Sequence, residues 1–226
     1  VPAILTALAY GENEQVFTFL AMVLGISVIS TSILFLTPKP SQKARPSDAL
    51  GLVILWWFLA PVAACLPFVV GVQNASLLQA IHEATACLTT TGQSVIAVEG
   101  NRWPASLIVW RGTLHLLGAS ASIIVAASVL AALNLGGPGI HRSELFVMPE
   151  TSFFDAVPKV ARSVILIMVV SITLTVLALE LASVSPGRAM SDAVSVWTTG
   201  LVDPAPYGRA NAGAVADVIL AIGLVG

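Results

Sequence analysis

Apolar residues fill long, nearly uninterrupted stretches of this chain, and polar residues are confined to the short segments between them. Four of the stretches have the length of a membrane-spanning helix, because ~20 helical residues are enough to cross the hydrocarbon core of a bilayer. They cover about 16–36, 49–71, 104–135 and 161–183. The pattern therefore predicts an all-α membrane protein.

One layout occurs twice along the chain. A long apolar helix is followed by a short, more polar helix and then by Thr-Thr-Gly, first within residues 82–92 and again within residues 190–200. The two copies lie about 108 residues apart, so that residues 90–92 align with residues 198–200. Because the similarity includes the preceding helices, it indicates a structural repeat and not a chance tripeptide.

The segment between the second and third apolar stretches is too polar for a full crossing and too apolar for a free loop. We interpret it as a re-entrant segment, with a short helix over 78–89 and an extended return over 90–98. Non-helical backbone at membrane depth requires protein or a water-filled path to satisfy its polar groups. Two crossings per repeat give successive repeats the same orientation, so their re-entrant turns can converge, which is the geometry of a pore.

Composition and charge support this interpretation. The chain is 57% hydrophobic and 10% charged, too apolar for a soluble globule of 226 residues. Its formal net charge of −2 gives no indication of a nucleic-acid partner. Basic residues concentrate in the two loops that share one side, which the positive-inside rule makes cytoplasmic: Lys39, Lys43, Arg45, Arg142, Lys159 and Arg162. The opposite side carries a mildly acidic set of residues, which favours cations.

Thr-Thr-Gly turns offer the chemistry that a dehydrated cation needs. Backbone carbonyl groups can replace the hydration shell of the ion without a full opposing charge. Glycine suits such a turn because it adopts positive φ, and threonine hydroxyl groups add further oxygens. The alternative is that Thr and Gly serve here as packing residues of membrane helices. The candidate ion-binding residues are Thr90, Thr91, Gly92, Thr198, Thr199 and Gly200.

An arginine lies well inside the third apolar stretch. A charge at that depth should face protein and not lipid. Glu83, on the first short helix, is the acidic candidate for pairing with Arg111. We expect a Glu83–Arg111 bridge that supports the first turn from behind, the alternative being an arginine that extends to the membrane interface.

Histidines raise the alternative of an intramembrane enzyme that uses His82, Glu83 and His115. The sequence from His82 to Ala86 lacks the second histidine of a HExxH zinc motif. His115 is interpreted as a hydrogen-bonded helix residue. Cys65 and Cys87 are interpreted as small buried residues, and we expect no enzyme activity, no bound metal beyond the transported ion and no cofactor.

A resemblance to a known family rests on several short motifs. They are Glu83-Ala84, Thr89-Thr90-Thr91-Gly92, Trp110-Arg111, Leu117-Gly118, Ile123-Ile124 and Gly136-Gly137. In this order they resemble the first repeat of the Trk/Ktr/HKT potassium transporter family. The family has four helix–pore-loop–helix repeats around one pore, as in potassium channels, with one filter glycine in each repeat.

The resemblance implies potassium uptake across the bacterial inner membrane, with residues 90–92 and 198–200 as the first two filter segments. It also implies a homodimer, embedded in membrane lipid, and a cytoplasmic nucleotide-binding regulatory subunit as a partner. Two departures concern residues 118–122, where the family has Gly-Gly-Met-Gly, and residues 198–201, where it has Ser-Thr-Gly-Gly. Both keep small residues and the filter glycine.

The expected organisation follows from the repeat. Residues 1–48 form an N-terminal helix pair and a basic cytoplasmic loop, and residues 49–135 form the first helix–pore-loop–helix repeat. Residues 136–160 form a cytoplasmic linker, and residues 161–226 form a second, truncated repeat. About one and a half of the four expected repeats are present, so we expect the chain to be an excerpt of the N-terminal part of a longer protein.

Overall fold

The computed structural model describes residues 1–37, 46–96, 103–132, 153–203 and 214–225. These ranges contain helices and irregular segments and no strand. The helices are α1 Pro2–Tyr10, α2 Asn13–Leu36, α3 Pro46–Ala64, α4 Leu66–Gly71, α5 Leu77–Leu88, α6 Ala105–Ala132, α7 Phe153–Leu181, α8 Pro186–Thr198 and α9 Ala214–Val225.

Four helical segments have the length and hydropathy of membrane spans, as the sequence predicts. They are Asn13–Leu36, Gly51–Gly71, Ala105–Ala127 and Val157–Leu181. Few of their side chains are fully buried, and large apolar residues such as Phe35 and Leu174 are exposed. Such surfaces are compatible with a lipid environment and not with water.

The second predicted span is not one continuous helix. It is interrupted at Cys65, where α3 ends and α4 begins. Pro67 occupies the first turn of α4 and supplies no backbone N–H, which explains a break at this point. Pro61, by contrast, is accommodated inside α3.

Two short helices lie between the long ones. α5 corresponds closely to the predicted short helix over 78–89, and it packs against α3, α4 and α6. α8 packs against α6, α7 and α9. The long helix α6 therefore contacts both short helices. Residues near its N-terminal end are in a position to reach the segment that follows each short helix.

The N-terminal end of α6 is fixed by the hairpin that α1 and α2 form. Glu12, between α1 and α2, accepts hydrogen bonds from the backbone N–H groups of Ala105 (2.8 Å) and Ser106 (3.2 Å). A carboxylate at this position satisfies N–H groups that have no partner within the helix and interacts favourably with the helix dipole. The hairpin thus orients the helix that carries Arg111.

The start of α7 differs from the expected organisation. The helix begins at Phe153, inside the segment predicted as a linker, so Lys159 and Arg162 are helical and do not belong to a loop. Arg142, Lys39, Lys43 and Arg45 lie outside the described residues. The boundaries of the repeats themselves stay predictions.

Candidate functional site

The first turn, residues 89–96, follows the C-terminal end of α5. A capping box starts that helix: Ser76 accepts from the N–H of Gln79, and the side chain of Gln79 accepts from the N–H of Ser76. At its other end the backbone reverses through two residues with positive φ, Thr90 (58°) and Gly92 (68°). The N–H of Gly92 donates to the carbonyl of Ala86 at 3.0 Å, which holds the turn against the helix.

Threonine hydroxyl groups strengthen this turn. The hydroxyl of Thr89 donates to the carbonyl of Thr85 at 2.9 Å and lies 3.1 Å from the hydroxyl of Thr91. Thr89 and Thr91 are exposed, whereas Gly92 is buried. The first turn therefore exposes the hydroxyl groups of Thr89 and Thr91 on one side, here called its open side, and packs against protein at Gly92.

The second turn, residues 199–203, follows the C-terminal end of α8. Thr199 adopts φ 56°, and the N–H of Gly200 donates to the carbonyl of Ser195 at 3.0 Å. The N–H of Val202 donates to the hydroxyl of Ser195 at 3.1 Å. Thr198 is buried, and its hydroxyl donates to the carbonyl of Val194 at 2.7 Å. Ser195 thus anchors the second turn through both its carbonyl and its side chain.

The two turns are not superimposable residue for residue. The first left-handed residue after the short helix is Thr90 in the first turn and Thr199 in the second, a separation of 109 residues. The tripeptide alignment has a separation of 108 residues. Gly92 has positive φ in the first turn, whereas Gly200 does not in the second. The sequence repeat is therefore offset by one residue from the structural one.

Both glycines lie where the two turns meet. A Cβ atom on Gly92 would overlap the backbone of Leu201, with its carbonyl oxygen at 2.6 Å. A Cβ atom on Gly200 would overlap the carbonyl oxygen of Thr90 and the ring of His115. The turns approach each other this closely because both positions lack a side chain.

The predicted pairing of Glu83 with Arg111 is present in the structure. Both side chains are fully buried and form an ion pair. The hydroxyl of Ser94 donates to the other carboxylate oxygen of Glu83 at 2.9 Å. The guanidinium group of Arg111 also lies over the ring of Trp103, 5.4 Å from its centroid. Arg111 does not extend to the membrane interface.

The same guanidinium group contacts the backbone of both turns. It donates to the carbonyl groups of Gly92 (Nη2, 2.8 Å), Leu201 (Nη2, 3.0 Å) and Val202 (Nε, 2.7 Å). The Gly92 carbonyl is thus directed at Arg111, which differs from the expectation that it points toward a shared pore axis. The exposed oxygen atoms of the first turn are the hydroxyl groups of Thr89 and Thr91, which precede Gly92.

The structure does not bring His82, Glu83 and His115 together in one site, as the enzyme alternative requires. His82 is exposed, while Glu83 is buried in the ion pair with Arg111. His115 is buried against Gly200, one helical turn after Arg111 on α6. The His115 ring lies beside the backbone of Leu201, but neither ring nitrogen makes a hydrogen bond of good geometry among the described residues, so its expected role as a hydrogen-bonded helix residue stays a prediction. No cluster of metal-ligating side chains occurs in the described ranges either.

Sequence reasoning missed two serines that support the site. Ser94 contacts Glu83 from the end of the first turn, and Ser195 anchors the second turn from within α8. The role of Ser195 could have been suspected from the sequence, because this polar residue lies on the short helix directly before the second Thr-Thr-Gly. The role of Ser94 depends on the return path of the chain, which no local pattern specifies.

No protein-family model matches the chain. Several curated bacterial proteins do resemble it. It is 28% identical over 199 residues to Trk system potassium uptake protein TrkI of Halomonas elongata, covering 86% of this chain and 37% of that protein. It is 26% identical over 146 residues to Trk system potassium uptake protein TrkG of Escherichia coli K12, covering 64% of this chain and 30% of that protein.

A solved structure gives the same result for the fold. The crystal structure of the potassium transporter TrkH from Vibrio parahaemolyticus matches with a TM-score of 0.80 at 23% sequence identity. The match covers 99% of this chain and 45% of that one. The chain therefore spans less than half the length of the relatives it matches. The predicted fold class, a partial set of helix–pore-loop–helix repeats, is confirmed.

The relatives and the four apolar helices also confirm a multi-pass protein of the bacterial inner membrane. The matched proteins are named as uptake proteins, so the enzyme alternative has no support among them. The resemblance inferred from the motifs is confirmed: the chain is similar to Trk-type potassium uptake proteins of the Trk/Ktr/HKT family over about a third of their length.

Proposed function

We propose that the complete protein takes up potassium across the plasma membrane, through a pore to which this chain contributes two filter segments. The supporting observation is that two re-entrant turns, each at the C-terminal end of a short helix, lie in direct contact with each other. The relatives whose names specify potassium uptake support the choice of ion.

The electrostatics of the site favour a cation. α5 ends at Leu88 and α8 at Thr198, so both short helices direct the negative ends of their dipoles toward the turns. The exposed hydroxyl groups of Thr89 and Thr91 lie on the open side of the first turn. Oxygen-rich surfaces of this kind can replace the waters of a potassium ion, which loses them more readily than sodium.

The proposed filter residues are Thr90, Thr91, Gly92, Thr198, Thr199 and Gly200. We assign the exposed Thr91 and Thr199 to the oxygen-bearing surface. Thr90 and the two glycines form the contact between the turns, and the buried Thr198 supports the second turn. Glu83 and Arg111 are proposed to support the turns from the protein side. The remaining repeats, a homodimeric assembly and a cytoplasmic nucleotide-binding subunit belong to the proposal for the complete protein.

Serine substitution at Gly92 and at Gly200 tests the filter assignment. At Gly92 the added Cβ meets the Leu201 backbone and a φ of 68°, a conformation that costs a non-glycine residue about 1–2 kcal/mol. We expect both variants of the full-length protein to lose discrimination between rubidium and sodium in uptake assays. The host cells lack their own potassium transporters, and the amount of each variant in the membrane is measured in parallel.

Gln93→Asn is the matched control, because Gln93 is an exposed neighbour of Gly92. It should retain the wild-type ion preference and potassium-limited growth. Unchanged ion preference in both glycine variants, at normal membrane levels, would remove the filter assignment. Absence of rubidium uptake by the wild type would contradict the proposed function as a whole.

A further inference from the structure

The proposed function leaves open how the two turns keep a fixed relative position. Arg111 is the seventh residue of α6 and is fully buried. Its guanidinium group interacts with the carboxylate of Glu83 on α5, with the first turn at Gly92, and with the second turn at Leu201 and Val202. A single side chain thus contacts the support of one turn and the backbone of both.

The described part of the second repeat shows no buried ion pair of the kind that Glu83 and Arg111 form. At the structural offset of 109 residues, Glu83 corresponds to Asp192, which is partly exposed, and Arg111 corresponds to the apolar Leu220. Among the described residues, Glu83 and Arg111 are the only charged side chains that are buried. Arg188 on α8 is partly exposed and pairs with Asp192 on its own helix at 3.4 Å. The buried cation that contacts the second turn is therefore Arg111 on α6, and the charge of Asp203 in that turn also acts on it.

The chemistry of this contact is specific to arginine. A guanidinium group carries five N–H donors in a rigid planar fork, so it can bind several fixed acceptors at once. A lysine ammonium group keeps the charge but is a compact point donor that cannot span the same acceptors. Without the guanidinium group, the carbonyl groups of Gly92, Leu201 and Val202 lose a donor in a buried environment, where unsatisfied polar groups are costly.

We propose that Arg111 couples the two turns into one mechanical unit, so that a displacement of either turn is transmitted to the other. This inference rests on the proposed function, because it assigns Arg111 as a positioning residue for the relative placement of two filter segments. Glu83 compensates the buried charge and is itself held by Ser94. The three carbonyl groups bound to Arg111 are orienting contacts and not ion ligands.

The primary experiment compares Arg111→Lys with the wild-type full-length protein. We expect Arg111→Lys to reach the membrane and to conduct rubidium with reduced discrimination against sodium. In hydrogen–deuterium exchange, the peptides that cover the first and second turns should both exchange faster, by about fivefold, as expected for the loss of one hydrogen bond. Arg188→Lys, at the opposite end of α8 from the second turn, is the control for the loss of a guanidinium group, and it should change neither readout.

A second variant tests the coupling without touching the arginine. Ser195→Ala removes the hydroxyl group that binds the N–H of Val202 and so loosens the second turn directly. Coupling through Arg111 predicts faster exchange in the first turn as well, although Ser195 has no hydrogen bond to it. Thr173→Val, which removes an exposed hydroxyl group on α7, is the control and should leave both turns unchanged.

The charge-swapped double variant Glu83→Arg with Arg111→Glu distinguishes coupling from simple charge pairing. A carboxylate at position 111 accepts hydrogen bonds but cannot donate to carbonyl groups, so the swap should not restore ion discrimination. Restoration by the swap would overturn the proposal, and so would faster exchange confined to the second turn in Ser195→Ala. The exchange readout does not depend on transport, so these outcomes remain distinct from a failure of the proposed function.

Discussion

Gly118 on α6 lies against the last residue of α5, and substituting it should show how closely these helices must approach. A Cβ atom at this position would lie 2.6 Å from the carbonyl carbon and 3.0 Å from the Cα atom of Leu88, and closer still to the carbonyl oxygen. These are backbone atoms of a helix, so they cannot move aside as a flexible side chain can. Alanine at Gly118 should therefore force α5 and α6 apart.

The magnitude follows from two opposing terms. Overpacking of a well-packed interior costs about 1–3 kcal/mol. Replacing glycine by alanine within a helix gains about 1 kcal/mol from helix propensity. We expect a net destabilisation of Gly118→Ala by up to about 2 kcal/mol, and a larger loss for Gly118→Leu.

Gly112→Ala provides a matched control on the same helix. There the nearest atoms to an added Cβ are side-chain carbons of Val202 at 3.4 Å and Val194 at 4.0 Å, which are ordinary contacts. The higher helix propensity of alanine should make the free energy of unfolding of this variant equal to that of the wild type or up to about 1 kcal/mol larger. The sign of the effect should thus differ between the two glycines.

The assay is thermal unfolding of the purified full-length protein in detergent, followed with a thiol-reactive fluorophore. Cys65 and Cys87 are buried, so the dye reports their exposure as the protein unfolds. Because Leu88 directly precedes the first turn, reduced rubidium–sodium discrimination should accompany the lower melting temperature of Gly118→Ala. Equal melting temperatures for Gly118→Ala and Gly112→Ala would refute the close-approach argument. Ser122 lies four residues after Gly118, a small-xxx-small spacing from which the sequence predicts that leucine would destabilise there too. Ser122 is exposed in the structure, so we expect leucine to be tolerated at this position.

Two further predictions concern the hairpin and the topology. Glu12→Ala removes the acceptor for the N–H groups of Ala105 and Ser106 and should cost about 1 kcal/mol in the same unfolding assay, whereas Glu14→Ala, an exposed change, should cost less. Single cysteines at Gln42 and Glu99, both outside the described residues, should react with impermeant thiol reagents from opposite sides of the membrane in a background without Cys65 and Cys87. Labelling from the same side would contradict the arrangement of two spans per repeat.

The sequence by itself determined most of the helices and the resemblance to Trk-type potassium uptake proteins. Spanning helices are recognisable because their length and hydropathy are local properties of the chain, and α5 was predicted to within one residue at each end. The pairing of Glu83 with Arg111 was also predictable, because a charge inside an apolar helix requires a partner and Glu83 lies on the short helix of the same repeat. The repeated Thr-Thr-Gly indicated where the chain leaves helical geometry.

Only the tertiary structure decided how the two turns are held together. Three contacts join residues that are distant in the sequence. They are the hydrogen bond of Arg111 to Val202, the contact of Gly200 with His115 and the close approach of Gly118 to Leu88. The one-residue offset between the turns is likewise invisible in an alignment, because both copies read Thr-Thr-Gly although the left-handed threonine is the first of the tripeptide in one turn and the second in the other. Hydrogen bonds of a buried guanidinium group depend on which backbone carbonyl groups come within about 3 Å, and that proximity is a property of the packed helices and not of any local pattern.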